Sequence, residues 1–270
     1  MQEQPQSVGD VRTVSAFNSA RFSNNIIHSD EYARSRGFRG GLVPGSDSCG
    51  YLSHLAVNAW GLAWLRAGQA SFRLISPVYE GDAATAEVTA SDASGFDATL
   101  TVDGVCCARA SFKLAHGLQE DSLTHVERLP LTDLLIAATP EGLSVGTMLP
   151  EVSREIGQQQ ARDILDELRE DLPVYQTESL IHPGYLIRMA NWAFSNTVQL
   201  GPWVHVGSEL NNFRPCPAGS RITAFSRVIK NFDNKGHRFV TLDIRIHADG
   251  IGLVSQVLHT AIYQLRPDAK

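Results

Sequence analysis

The 270-residue chain has only four cysteines: Cys49, Cys106, Cys107 and Cys216. None forms a C-x-x-C pair, and the adjacent Cys106 and Cys107 would face opposite sides of a strand. This spacing argues against a zinc ribbon or a disulfide framework, and it fits a reducing cytoplasm. Basic residues are also few, 23 against 29 acidic ones, for a net charge of −6. No basic surface is left over to neutralise phosphates, so a nucleic-acid partner is not expected. No apolar run approaches the ~20 residues needed to span a bilayer, which argues against a membrane partner. The opening Met1-Gln-Glu-Gln-Pro-Gln lacks the basic and apolar regions of a signal peptide, and a cytoplasmic location is expected. A phosphate-binding loop, a dinucleotide glycine motif after a strand and a G-x-S-x-G nucleophile motif are all missing.

What is present is an apolar chain organised as one pattern used twice. Hydrophobic residues make up 43% and charged residues 19%, enough core for one large domain or two packed subdomains. In the first copy, Pro44-Gly45 opens an apolar helix pattern over 46–66. Tyr51, Leu55, Ala59 and Leu62 recur on one face, and Leu52, Ala56 and Trp60 on the next. Strand patterns follow at 70–78, 83–90, 96–102 and 105–114, separated by Gly81-Asp82, Ser94-Gly95 and the hairpin signal Asp103-Gly104. In the second copy, Pro183-Gly184 opens a helix pattern that continues over 185–200. Strands are then expected at 204–213, 221–230, 237–247 and 253–265. Pro44 and Pro183 stand 139 positions apart, and Gly81 and Gly219 stand 138 apart. One such sheet cannot cover its helix and both of its own edges, but two copies can join edges around two helices. The expected class is α+β, with two long central helices wrapped by a continuous antiparallel sheet. The expected units are 1–116, a connecting segment at 117–173 and 174–270. Within the connection, Glu151 to Glu170 reads as a charged surface helix that Pro173 ends.

The segment ahead of the first helix carries the chemistry. Ser23-Asn-Asn-Ile-Ile-His28 forms a polar turn. Ser29 is a candidate N-cap, with Asp30 and Glu31 in the first turn of a short helix, which gives Asp30 a structural role. Gly37-Phe-Arg-Gly-Gly-Leu-Val-Pro-Gly45 then leads into the apolar helix. The amides near Gly45 and Ser46 would stand at a helix N-terminus, where developing negative charge can be stabilised. This order resembles the hydratase loop of the MaoC-like (R)-specific enoyl-thioester hydratases and dehydratases, and the whole pattern resembles their double hotdog fold. That family usually carries Asp-x-Asn-Pro-Ile-His. Here Ser23 stands at the aspartate position and Ile26 at the proline.

The resemblance implies addition or removal of water at the α,β-position of an acyl thioester, with no metal or redox cofactor. Carried over residue by residue, His28 is the acid/base and Asn25 orders the site. Ser23 can bind a water but cannot take up a proton at pH 7 as a carboxylate does. Gly41, Gly45, Ser46 and Arg39 are the candidate substrate contacts. Arg34, Arg36 and Arg39 would meet the phosphates of coenzyme A or of a carrier-protein arm; a solvated helix face explains them equally well. Loss of the carboxylate leaves room for a dehydratase, isomerase or cyclase of secondary metabolism using the same pocket. A non-catalytic hotdog binding protein is the third reading, with His28 merely satisfying backbone groups. The second copy lacks the loop, and His182 is expected to cap or pack near its helix. Cys49 is expected to be a small buried residue, and the tryptophans to serve packing. Unpaired sheet edges and helix faces would suit a homodimer.

Overall fold

The computed structural model describes residues 7–115 and 128–266. The first six residues and residues 117–127 of the connecting segment lie outside the described residues. Among the described residues, no helix is long and apolar enough to cross a membrane.

Ten strands form one antiparallel sheet. From the first copy come β1 (Val11–Ser15), β2 (Gly68–Leu74), β3 (Ala83–Asp92), β4 (Gly95–Val102) and β5 (Val105–Leu114). A short β6 (Ile136–Ala137) precedes β7 (Met148–Glu155). After β8 (Val198–Gln199) come β9 (Val204–Asn212), β10 (Arg221–Asn234), β11 (His237–Ala248) and β12 (Gly252–Gln264). The order across the sheet is β1-β3-β4-β5-β2-β9-β12-β11-β10-β7, while β6 and β8 pair separately. The copies meet where β2 pairs with β9, from Gln69 opposite Asn211 to Arg73 opposite Gly207. The Gln69 Nε2 donates to Asn211 Oδ1 across that seam at 2.6 Å. The Asp103-Gly104 turn has φ of 50° and 77°, the left-handed pair that a tight hairpin requires.

The helices are α1 (Asp30–Ser35), α2 (Gly45–Trp60), α3 (Leu62–Ala67), α4 (Gln158–Glu167), α5 (Pro173–Thr177) and α6 (Pro183–Ser195). The long α2 and α6 pack against each other inside the sheet. Every residue from Ser46 to Val57 is buried, which accounts for a helix apolar around most of its circumference. Cys49 is fully buried among them, and its thiol pKa is raised by that burial. Asp47 of α2 is buried as well, and its carboxylate pairs at 3.0 Å with Arg188 of α6. Arg188 also pairs with Glu167 of α4, so the two central helices are tied by charge as well as by apolar packing.

Four sequence expectations need correction. The first helix pattern does not run unbroken to Arg66: Gly61 adopts φ +52° and separates α2 from α3. The second helix pattern does not run to Leu200: α6 stops at Ser195, and Val198–Gln199 forms β8. The charged stretch from Glu151 to Glu170 is not one helix. Its first residues belong to β7, which pairs with β10, and only Gln158–Glu167 is helical. Pro173 does not end that helix but opens α5, because a proline has no N–H to lose at a first helical position. The edge strands β1 and β7 had no sequence expectation.

Candidate functional site

The polar turn folds as a single 3-10 turn, Ile26–His28, followed by α1. Ser29 caps α1 by accepting the Tyr32 N–H. Asp30 has partners other than the histidine: its carboxylate accepts the Gly41 N–H at 2.8 Å and pairs with Arg34 at 3.0 Å. The first of these is the main cause of its lowered pKa. Gly41 is needed where it stands, because an added Cβ would meet the His28 carbonyl oxygen at 2.1 Å. Asn18 Nδ2 donates to that same carbonyl at 3.0 Å. The loop is thereby pinned on both sides of His28.

The His28 ring is held in one tautomer. Its Nδ1–H donates to the Leu42 carbonyl at 2.7 Å, so Nε2 carries the lone pair. Burial lowers the His28 pKa, against the Leu42 hydrogen bond and the Asp47 charge, which both raise it. The ring is therefore a neutral acceptor around pH 7. Asn25 Nδ2 stands 3.5 Å from Nε2 and donates to the Trp203 carbonyl at 3.1 Å. The Asn25 Oδ1 is buried without a partner.

His28 lies on the wall between two cavities. One, of about 320 Å³, is largely apolar, with Leu74, Val78 and Ile262 in its lining and Gly45 and His205 beside them. The other, of about 360 Å³, has a more polar lining that includes Ser23, Arg154 and Arg188. Asn25, His28, Asn191 and Trp203 line both. Asn191 Oδ1 is another buried oxygen without a partner. A separate groove of about 400 Å³ on the sheet surface, lined by Asp92, Lys113 and Glu209, contains none of the candidate residues.

The remaining candidates divide. Gly45 is the first residue of α2 and borders the apolar cavity, and a Cβ there would lie 2.1 Å from Leu74 Cδ1. Ser46 is fully buried, with its Oγ donating to Asp47 and accepting from Asn191. The first helical amides have no carbonyl behind them within the helix. Ser23 is exposed, lines the more polar cavity, and donates to the Asn25 carbonyl at 3.4 Å. Two candidates are engaged elsewhere. The Gly41 amide is taken by Asp30. Arg39 pairs with Asp82 and stacks over Tyr79 at 4.4 Å, and it lines neither cavity. Sequence reasoning missed Asn191, Trp203 and His205. Asn191 comes from α6, Trp203 from the residue before β9 and His205 from β9, where their spacing reads as ordinary core pattern.

No protein-family model matches the chain, and no curated protein matches it by sequence. Solved structures do match its fold over almost its full length. A protein described as a MaoC domain dehydratase, from Chloroflexus aurantiacus, superposes with a TM-score of 0.60 at 13% identity, covering 97% of each chain. A conserved hypothetical protein of Mycobacterium tuberculosis with a double hotdog fold gives a TM-score of 0.62 at 12% identity, over 95% of this chain and 96% of that one. An oleoyl thioesterase from Lactobacillus plantarum gives 0.55 at 11% identity, over 96% and 98%. The chain is a double hotdog, the fold that MaoC-like dehydratases share. At these identities the likeness is one of fold, found among dehydratases and thioesterases alike.

Proposed function

We propose that the protein is an enzyme acting on an acyl thioester, carried by coenzyme A or a carrier protein, and that it adds or removes water at the α,β-position with His28 as acid and base. The observation that carries this reading is the single tautomer of His28, whose Nε2 meets only the long 3.5 Å contact from Asn25 Nδ2 on a ring that lines both cavities. One imidazole suffices for the proton balance. In hydration, Nε2 takes a proton from water as the water oxygen bonds to Cβ, and the same proton then goes to Cα. Dehydration reverses both transfers. The unpartnered Asn25 and Asn191 oxygens suit a hydroxyl or water beside that nitrogen. Negative charge developing on the thioester oxygen would fall near the first amides of α2. The test is a mass-spectrometric screen of enoyl and 3-hydroxyacyl thioesters of varied length, with wild type and His28→Ala. A change of one water with wild type alone supports the reading. Turnover undiminished in His28→Ala would remove it.

A second reading has its own observation: among the described residues, no carboxylate is hydrogen-bonded to His28. Asp47 acts on it only through space and is held by Arg188, Ser19 and Ser46. A lone neutral base also serves an elimination, isomerisation or cyclisation. Ser23→Asp separates the two. A gain in enoyl hydration points to a hydratase weakened by loss of its carboxylate; no gain points to a rebuilt pocket.

A further inference from the structure

The apolar cavity holds a second histidine that the proposed chemistry does not use. His205 lies on β9 and His259 on the neighbouring β12, where Ser208 stands directly opposite His259. The two imidazoles stack with centroids 4.3 Å apart. Ser208 Oγ joins them, 2.9 Å from His205 Nε2 and 3.2 Å from His259 Nδ1. All three residues are at least nine-tenths buried, and the outer nitrogens, His205 Nδ1 and His259 Nε2, have no partner.

A hydroxyl has one proton, so Ser208 can donate to only one ring. If it donated to His259, His259 Nε2 would carry an N–H buried with nothing to accept it. If it donates to His205 Nε2, His259 donates back to Ser208 and keeps only a bare lone pair at Nε2. Either arrangement leaves one outer N–H without a protein partner; the second places it on the ring that lines the cavity, where a bound ligand can accept it, and is the one adopted. It leaves His205 Nδ1 as an N–H donor. His205 lines the cavity, and its buried Nδ1 packs beside the start of α2: a Cβ built on Gly45 would come within 2.8 Å of it. Burial holds the His205 pKa down to about 4, against a pull upward from the Gly207 backbone. The ring can thus donate without becoming a cation.

We infer that His205 Nδ1–H hydrogen-bonds the thioester carbonyl oxygen from the second copy, facing the α2 amides of the first. This rests on the acyl-thioester reading. Ser208 and His259 act as positioning residues that keep the proton on Nδ1. The carbonyl site is then composite, with donors from both copies, while the base comes from the first alone.

The experiment compares butyryl-CoA with S-butyl-CoA, a thioether that lacks the carbonyl, by titration calorimetry. His205→Phe is expected to weaken butyryl-CoA about tenfold, the worth of one hydrogen bond, and to leave S-butyl-CoA unchanged. Equal weakening of both, or of neither, overturns the assignment. Wild-type protein with ¹⁵N-labelled histidine provides a test that does not depend on the variant folding. His205 Nδ1 should resonate as a protonated nitrogen and should move with butyryl-CoA but not with S-butyl-CoA. An unprotonated Nδ1, or the same movement with both, overturns the inference while the thioester reading stands. If wild type binds neither compound, the thioester reading fails and this inference falls with it.

Discussion

Each central helix begins at a Pro-Gly pair with a histidine nearby, and the two histidines have opposite fates. His182 caps α6 directly: its Nδ1 accepts the Gly184 N–H at 3.0 Å. That leaves Nε2 protonated and donating to Glu170 at 3.2 Å. Glu170 also accepts from His54 of α2 and from the Asp171 and Leu172 amides. Both His182 nitrogens are engaged, the ring lines neither cavity nor the surface groove, and its burial is complete to within 1%. His28 uses one nitrogen on Leu42, its other nitrogen has only the long contact with Asn25 Nδ2 at 3.5 Å, and its ring lines two cavities. The difference teaches that a candidate base is recognised by a weakly held nitrogen on a ring at a cavity wall, not by its place before a helix.

The comparison breaks most sharply at His28. His28→Ala should lower turnover of a responding thioester about 10³-fold, with only about 1 kcal/mol lost in chemical denaturation from the unpaired Leu42 carbonyl. A stability loss in step with the activity loss would make the two histidines alike. The mirror experiment is Glu170→Ala. It strands two buried imidazole N–H groups and two amides, and should cost about 3 kcal/mol in urea unfolding. Activity per folded molecule should hold. Gly45→Ala should raise KM about tenfold, because its methyl would displace Leu74 and press on His205 in the cavity.

The smallest effect is in pH. Protonation removes the base, and burial lowers the His28 pKa. The acid limb of kcat/KM should therefore lie below the ordinary histidine value of about 6.5. The carboxylate at the other helix behaves differently. Burial alone would raise the Glu170 pKa, but hydrogen bonds from His182 and His54 outweigh it and hold it well below the carboxylate range. Its contribution to stability is present above about pH 4.3, the unfolded value, and is lost only as pH falls through the lower folded value. A rate profile with its acid limb above about 6.5 would show His28 to be less buried than described.

Much of this was legible in the chain because it depends on local signals. The helix starts, the Asp-Gly hairpin and the alternating strands each follow from a few neighbouring residues. So do the Ser29 cap and the structural engagement of Asp30. The edge strands were not legible: β1 has a single buried residue, Val14, and β7 mixes Pro150, Glu151 and Arg154 into its run. Both exist because a neighbouring strand offers them a ladder. The site was half legible. His28 and Asn25 are three residues apart, but Asn191 and His205 reach them only through the packing of α6 and β9. Nothing in their own segments distinguishes them from core. The His54–Glu170–His182 cluster was invisible for the same reason, being assembled from three distant segments.

The β2–β9 seam has a further consequence. Where two identical subunits meet to make such a sheet, every substitution appears twice, so a change that helps one helix start must be tolerated at the other. Here the halves are joined in one polypeptide and are free to drift apart. One helix start could keep an open loop at some expense in stability while the other closed into a buried acid–histidine knot. The low identity between the copies, beside their constant offset, is the trace that such a division of labour would leave.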